Sequence, residues 1–160
     1  LASSSSASDV YKRQAQIDPH IMNMVISINT IGPILVAKHF LPKLTRGEKT
    51  VFAVLSARVG SINDNHMGGW ASYRASKAAL NMLIKTAAIE QKRRHPESII
   101  ISLHPGTVDT QLSQPFQKNV NQGSLFEAGD AVNKLINVID DLNVKDTGGF
   151  LAWDGSSIEY

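Results

Sequence analysis

The chain contains no cysteine. That excludes a disulfide framework and any thiolate metal site. Charge of one sign is also lacking. The formal net charge is +2 with charged residues at 19%, too small an excess to favour a nucleic acid or an anionic membrane surface as partner. Long apolar runs are scarce. The longest, Met22 to Ala37, is interrupted by Asn23, Asn29, Gly32 and Pro33 and reads as too broken to span a bilayer. The five histidines show no metal-ligand spacing with any partner, so no metal is expected, and His66, His95 and His104 carry no motif. Asp140-Asp141 reads as a solvated helix end. There is no G-x-G-x-x-G, and so no glycine-rich turn for a dinucleotide phosphate.

What is present suits one globular domain. The 160 residues are 42% hydrophobic, enough for a real core. The first segment, "LASSSSASDVYKRQ", is Ser-rich and lacks an apolar stretch, so it does not read as a secretory signal. Residues 1–14 are expected to be a non-native or disordered tail resembling adaptor-derived sequence. The folded region is expected to be 15–160.

Asp18-Pro19 marks a helix start, with Asp as the cap and Pro in the first turn. That helix is expected to run over 18–43. "TVFAVLS" (50–56) is continuously apolar and predicts a strand buried on both faces. A Gly-bearing loop follows. A helix is expected over 70–94, with Leu80, Leu83, Ile84, Ala87 and Ala88 spaced for burial and Pro96 closing it. "SIIISLHPG" predicts a second buried strand and "TVDTQLSQPFQKNVNQGS" a long polar loop, a length uncommon unless functional. Glu127 to Asp141 reads as a helix with Ala131, Leu135, Val138 and Ile139 inward, and "TGGFLAW" as a last short strand. Such alternation predicts an α/β fold with a parallel sheet and helices on both faces. It amounts to the C-terminal part of a doubly wound, Rossmann-type sheet whose N-terminal βαβ units are missing.

"YRASK" carries the chemistry. Tyr73 and Lys77 are four residues apart on a helix and share a face. A free phenol with a pKa of about 10 is a poor base at neutral pH. An ammonium about 4 Å away, at an effective dielectric of about 20, is worth up to roughly 4 kcal/mol. That is enough to bring the phenol towards the range where acid–base catalysts operate. On its own such a pair is more often an ordinary solvated helix face.

Four segments in order resemble the short-chain dehydrogenase/reductase family: "INTIGPILVAKHFLP", "VFAVLSARVGSI", "GGWASYRASKAALN" and "HPGTVDT". Within that family the chain is similar to the C-factor-like and sniffer-type carbonyl reductases. The resemblance implies an NAD(P)-dependent, cytoplasmic oxidoreductase, with NADP favoured over NAD, acting on a small-molecule carbonyl or alcohol. It implies a homodimer or homotetramer through helices 18–43 and 70–94. Tyr73 would be the general acid/base. Lys77 would lower its pKa and bind the nicotinamide ribose, and the Asn29 carbonyl would hold a relay water. Pro105, Gly106, Thr107, Val108 and Thr110 would line the nicotinamide.

Pro33 supports Asn29 independently, because a proline four residues on removes the N–H that would cap the Asn29 carbonyl. The substrate-binding serine is out of register. The family position falls on Ala57, leaving Ser56, Ser61 or no serine. Trp70 and Met67 are candidates for a pocket wall, and Phe116 for a mobile lid. Three rival readings stand beside it: a sugar-nucleotide epimerase or dehydratase of the extended branch, which also uses Y-x-x-x-K but would need a substantial C-terminal domain; a non-catalytic signalling or scaffold member of the fold; and a fragment inactive as it stands, without useful cofactor affinity.

Overall fold

The structure, a computed structural model, describes residues 14–114, 117 and 123–160. The expectations for the 1–14 tail and for Phe116 fall, apart from Gln14, outside the described residues.

Asp18 caps the first helix as its sequence suggests: its carboxylate accepts the His20 amide at 2.8 Å and the Ile21 amide at 3.3 Å. Helix α1 covers Pro19–Ile26, a π-helical turn covers Ser27–Ile31, and α2 covers Gly32–Phe40. A 3-10 turn, Leu41–Lys43, ends the rod. Taken together Pro19–Lys43 is one helix holding an 18-residue window of mean hydropathy 1.5, by length and composition long and apolar enough to cross a membrane. The sequence reading made this stretch too interrupted. The π turn explains the difference, because it absorbs Pro33 without breaking the rod.

Strand β1 (Thr50–Leu55), helix α3 (Ala71–Lys92), strand β2 (Ser98–His104), helix α4 (Ala128–Asp141) and strand β5 (Phe150–Ala152) form the main layer. Two short strands, β3 (Thr107–Val108) and β4 (Leu125–Phe126), pair in parallel as a separate ribbon inside what reads as loop. At two residues each they are too short to leave a period in the sequence.

The main sheet is parallel in the order β1-β2-β5. The alternation of β2 assigns its two faces. Ile99, Ile101 and Leu103 pack with Leu135, Val138 and Leu142 around α4. Ile100 packs with Leu80, Ile84 and Ala88 of α3 and with Ala37 of α2. The sheet therefore grows in one direction while its two crossover helices lie on opposite faces. One of these crossovers must depart from the usual right-handed rule.

Strand β1 differs from the expectation of burial on both faces. Among the described residues β2 is its only ladder partner, and Leu55 is 60% exposed. The fold's stability resides in β2. Ile100 is fully buried, so Ile100→Ala is expected to cost about 2–5 kcal/mol, while Ile62→Ala, at a position 75% exposed, should cost less than about 0.5 kcal/mol. Urea unfolding of the two variants checks this ordering.

Candidate functional site

In a parallel α/β sheet, ligands bind beyond the carboxyl ends of the strands. Here that edge holds a cavity of about 330 Å³. Ser56, Ala57, Arg58 and Val59 wall it after β1, and Trp70 and Tyr73 wall it from the start of α3. His104, Pro105, Gly106, Thr107, Val108, Thr110, Leu112 and Ser113 complete it after β2. Tyr73 and the whole segment proposed to meet a nicotinamide thus face one space.

Gly106 is there for a reason of shape. Its φ is +79°, and a Cβ would fall 2.6 Å from the Phe126 ring and 2.9 Å from Trp153. The tight turn lets Pro105–Val108 pass under the cavity and pair Thr107 and Val108 with β4. Residues that would take the flat nicotinamide end of a dinucleotide are therefore present and contiguous.

Lys77 stands below rather than in the lining. It is 9% exposed, its Nζ donates to the Leu55 carbonyl at 2.9 Å, and it lies 5.9 Å from the Tyr73 ring centroid. Burial pulls its pKa down to about 8. Burial also pushes the Tyr73 phenol up, the reverse of the lowering expected from an adjacent ammonium. The reason is that the ammonium is directed at a carbonyl of β1 while the phenol loses water.

Asn29 approaches the same turn of α3 through its side chain. Its Nδ2 donates to Ser76 Oγ at 3.1 Å, Ser76 Oγ donates to the Tyr73 carbonyl at 2.8 Å, and Thr30 Oγ1 donates to the Ser76 carbonyl at 2.8 Å. In the π turn the Gly32 amide bonds the Ser27 carbonyl, five residues back. In that register Pro33 sits opposite Ile28, one residue before the carbonyl that α-helical spacing had singled out.

Both serine hydroxyls are engaged elsewhere. Ser56 keeps the sheet ladder, its amide bonding the Leu103 carbonyl at 2.8 Å, so no bulge turns it. Its Oγ donates to Asn81 Oδ1 at 2.6 Å. Ser61 Oγ accepts the Asp64 amide at 3.1 Å, and Ser61 lies outside the lining. Ala57, extended at φ −150°, takes the wall position. Met67, 82% exposed, is outside the lining too.

Two residues escape the sequence reading, His104 in the wall and Arg74 behind it. His104 shares the β2 face of Ser102, and its buried Nδ1 has no partner. Burial, with the Arg58 charge adding to it, pulls its pKa down to about 4, so it is neutral at pH 7. Its position two residues after Ser102, at the carboxyl end of a parallel strand, was the available signal. Arg74 donates from Nη1 to the Val59 carbonyl at 3.2 Å and from Nε to the Gly69 carbonyl at 3.1 Å. No spacing rule announces such bonds.

Because Ser56 satisfies Asn81, Ser56→Ala is expected to lower stability by about 1–3 kcal/mol, leaving a buried acceptor unpaired. Urea denaturation checks it. A loss below about 0.5 kcal/mol would contradict the buried bond.

The comparisons with known proteins agree with this geometry. Residues 7–121 match the family described as short chain dehydrogenase. C-signal of Myxococcus xanthus is 30% identical over 161 residues, covering all of this chain and 91% of that protein. The 1-hydroxy-2-glutathionyl-2-methyl-3-butene dehydrogenase of Rhodococcus sp. (strain AD45) is 33% identical over 144 residues, covering 90% of this chain and 61% of that one. Among solved structures, an NADPH-bound carbonyl reductase from chicken fatty liver superposes with a TM-score of 0.81 at 30% identity, over 94% of this chain and 61% of that one. The carbonyl reductase Sniffer of D. melanogaster gives a TM-score of 0.79 at 25% identity with the same coverage. The chain thus spans nearly all of one relative and about three fifths of these others. With residues 7–121 matched and the sheet, its carboxyl-edge cavity and Tyr73 in place, the chain belongs to the short-chain dehydrogenase family.

Proposed function

We propose that this chain is the catalytic part of an NAD(P)-dependent carbonyl reductase in which Tyr73 transfers the proton. One observation carries the reading: Tyr73 and Pro105–Val108 line a single cavity at the carboxyl edge of the parallel sheet. A bound nicotinamide would supply the hydride, and Pro105, Gly106, Thr107, Val108 and Thr110 would hold its ring. NADP is favoured over NAD because the chicken-liver reductase carries NADPH.

The protonation states favour reduction. Burial raises the Tyr73 pKa above its ordinary value of 10.0, so the phenol keeps its proton at neutral pH and can give it to a carbonyl oxygen. Lys77, with a pKa of about 8, is mostly cationic at pH 7 and stabilises the negative charge left on the phenol. Asn29 supports this turn through Ser76. With alanine at position 57 and the Ser56 hydroxyl committed to Asn81, His104, a neutral polar side chain in the lining, would meet the substrate oxygen.

Assembly through the two long helices belongs to the same proposal. Met24, Ile31, Leu35, Val36 and Phe40 on α1–α2, and Met82 and Ile89 on α3, are 42–66% exposed. Apolar surface at this density suits a second copy.

A second reading, a signalling or scaffold role, is favoured by the 91% coverage of C-signal and by alanine rather than serine at position 57. Ketone-dependent oxidation of NADPH by the whole protein separates the two. Tyr73→Phe is expected to lower that rate by about 10²–10⁴-fold, and equal rates would refute the assignment. The reduction rate should be level below about pH 7 and fall as pH rises through the Lys77 pKa of about 8, since deprotonation removes the cation. A rate unchanged to about pH 9.5 would remove Lys77 from the chemistry.

A further inference from the structure

The face of β2 that meets α3 ends in polar side chains. The Ser56 amide bonds the Leu103 carbonyl at 2.8 Å. That bond continues the register in which Val54 pairs with Ser102, and it sets Ser56 beside His104. Side chains alternate along each strand, so Ser56, Ser102 and His104 share this face, on strands about 4.8 Å apart. From α3, Asn81 reaches the same place, its Oδ1 accepting the Ser56 hydroxyl at 2.6 Å.

Three atoms of this group are buried with no hydrogen-bond partner among the described residues: Asn81 Nδ2, Ser102 Oγ and His104 Nδ1. Asn81 is 1% exposed and Ser102 is fully buried. Left unmet, such groups cost stability. Three of them on one face are what an internal water joins, since a buried water makes about three bonds of this kind. The balance of donors and acceptors orients it. The Asn81 amide nitrogen can only donate. A water that receives its proton must give its own protons away, and the acceptors in the group are the Ser102 oxygen and His104 Nδ1. Nδ1 accepts only where the proton of the neutral ring is on Nε2. Nδ1 lies on the buried edge of the ring and His104 lines the cavity, so the Nε2 end is turned to that space.

We propose that Asn81, Ser102 and His104 hold an internal water behind the cavity, and that this water fixes the histidine tautomer so that Nε2–H donates a hydrogen bond to the substrate oxygen beside Tyr73. Asn81 and Ser102 are positioning residues that act through the water. The role at the substrate oxygen rests on the carbonyl-reductase reading; the water and the tautomer do not. As a neutral donor, His104 stabilises the negative charge developing on that oxygen and keeps its own proton, which leaves the proton transfer to Tyr73.

The test begins with the full chain, carrying isotope-labelled histidine and asparagine, without cofactor or ketone. Heteronuclear NMR at pH 7, well above the His104 pKa of about 4, reads the ring nitrogens. The His104 signals are assigned by their loss in His104→Gln. Nδ1 should resonate as an unprotonated nitrogen and Nε2 as a protonated one. The Asn81 side-chain amide protons should show cross-peaks to a water of long residence. Ser102→Val fills the water's place, and should abolish those cross-peaks and move the Nδ1 resonance. Ser102→Ala leaves the room and should keep them. With acetophenone and NADPH, His104→Leu should lower kcat by about 10²-fold, the size of one lost donor to a developing oxyanion. His104→Gln, whose amide N–H can take the same place, should recover most of that loss.

A protonated Nδ1, or an Asn81 amide without a water cross-peak in the parent chain, would overturn the proposal. So would a His104→Leu variant as fast as the parent. The water and the Nε2–H tautomer in a whole protein that oxidises no NADPH with any ketone would refute the reductase reading and leave the water site standing. Ketone reduction by a protein whose His104 carries its proton on Nδ1 would do the opposite.

Discussion

Lys77 Nζ and the Leu55 carbonyl, 2.9 Å apart, join the reactive face of α3 to the carboxyl end of β1. Leu55 is the last residue of its strand, and an ammonium from the neighbouring helix takes its carbonyl. The approach is possible only because residue 60 has no side chain. A Cβ on Gly60 would lie 2.8 Å from the Lys77 Cβ and 2.9 Å from its carbonyl carbon, closer than packed atoms come. Strand end, Gly60 turn and helix are thus interlocked. Tyr73, one turn earlier on the same face, has its place at the cavity fixed by that lock.

The same lock decides the resting chemistry. A buried ammonium is costly unless it is paired or hydrogen-bonded, and among the described residues no carboxylate pairs with Lys77. Its pKa falls to about 8. The phenol, buried and without an ion aimed at its oxygen, rises. Under the proposed function, a protonated phenol above a cation would give a proton, and a carbonyl oxygen gaining electron density is the group that would take it. A second fastening holds the turn from the other side. Ser76, fully buried, receives the Asn29 amide, donates to the Tyr73 carbonyl and accepts Thr30 on its own carbonyl. Two successive residues of the π turn are spent on one serine, which accounts for a non-standard turn persisting at this point of the rod.

The elements of the fold were legible because each carries a strong local sign: Asp18-Pro19 for a helix start, the Ile99-Ile100-Ile101 run for a doubly covered strand, the 3.6-residue spacing of Ala131, Leu135 and Val138 for α4. The segments that meet at the cavity were legible as well, through "YRASK" and "HPGTVDT". What escaped has no period. The π turn depends on how Pro33 is accommodated. The β3–β4 ribbon has two residues a side. Arg74 acts through backbone carbonyls five, six and fifteen residues away, which no side-chain pattern records. Ser56 and Ser61 could not be ranked from sequence because their partners, Asn81 Oδ1 and the Asp64 amide, depend on how strand and helix are juxtaposed.

Behind the cavity the buried groups turn polar. On the β2 face that meets α3, Ile100 gives way to Ser102 and His104 as the strand nears the cavity. Ser56 and Asn81 lie beside them. Asn81 Nδ2, Ser102 Oγ and His104 Nδ1 are buried without partners, an arrangement that costs stability. Proteins tend to break packing rules where function requires it. None of these groups is charged, since His104 titrates near 4. The cation in the lining, Arg58, has its charge met by Asp64 at 3.8 Å. Of these groups His104 lines the cavity, and an uncharged polar side chain there would accept a neutral carbonyl at little cost, whereas a carboxylate would bring in a charge with no free counterion. Burial, which raises the Tyr73 phenol, and an uncharged His104 thus give the proposed proton donor surroundings that a neutral carbonyl would enter at little cost.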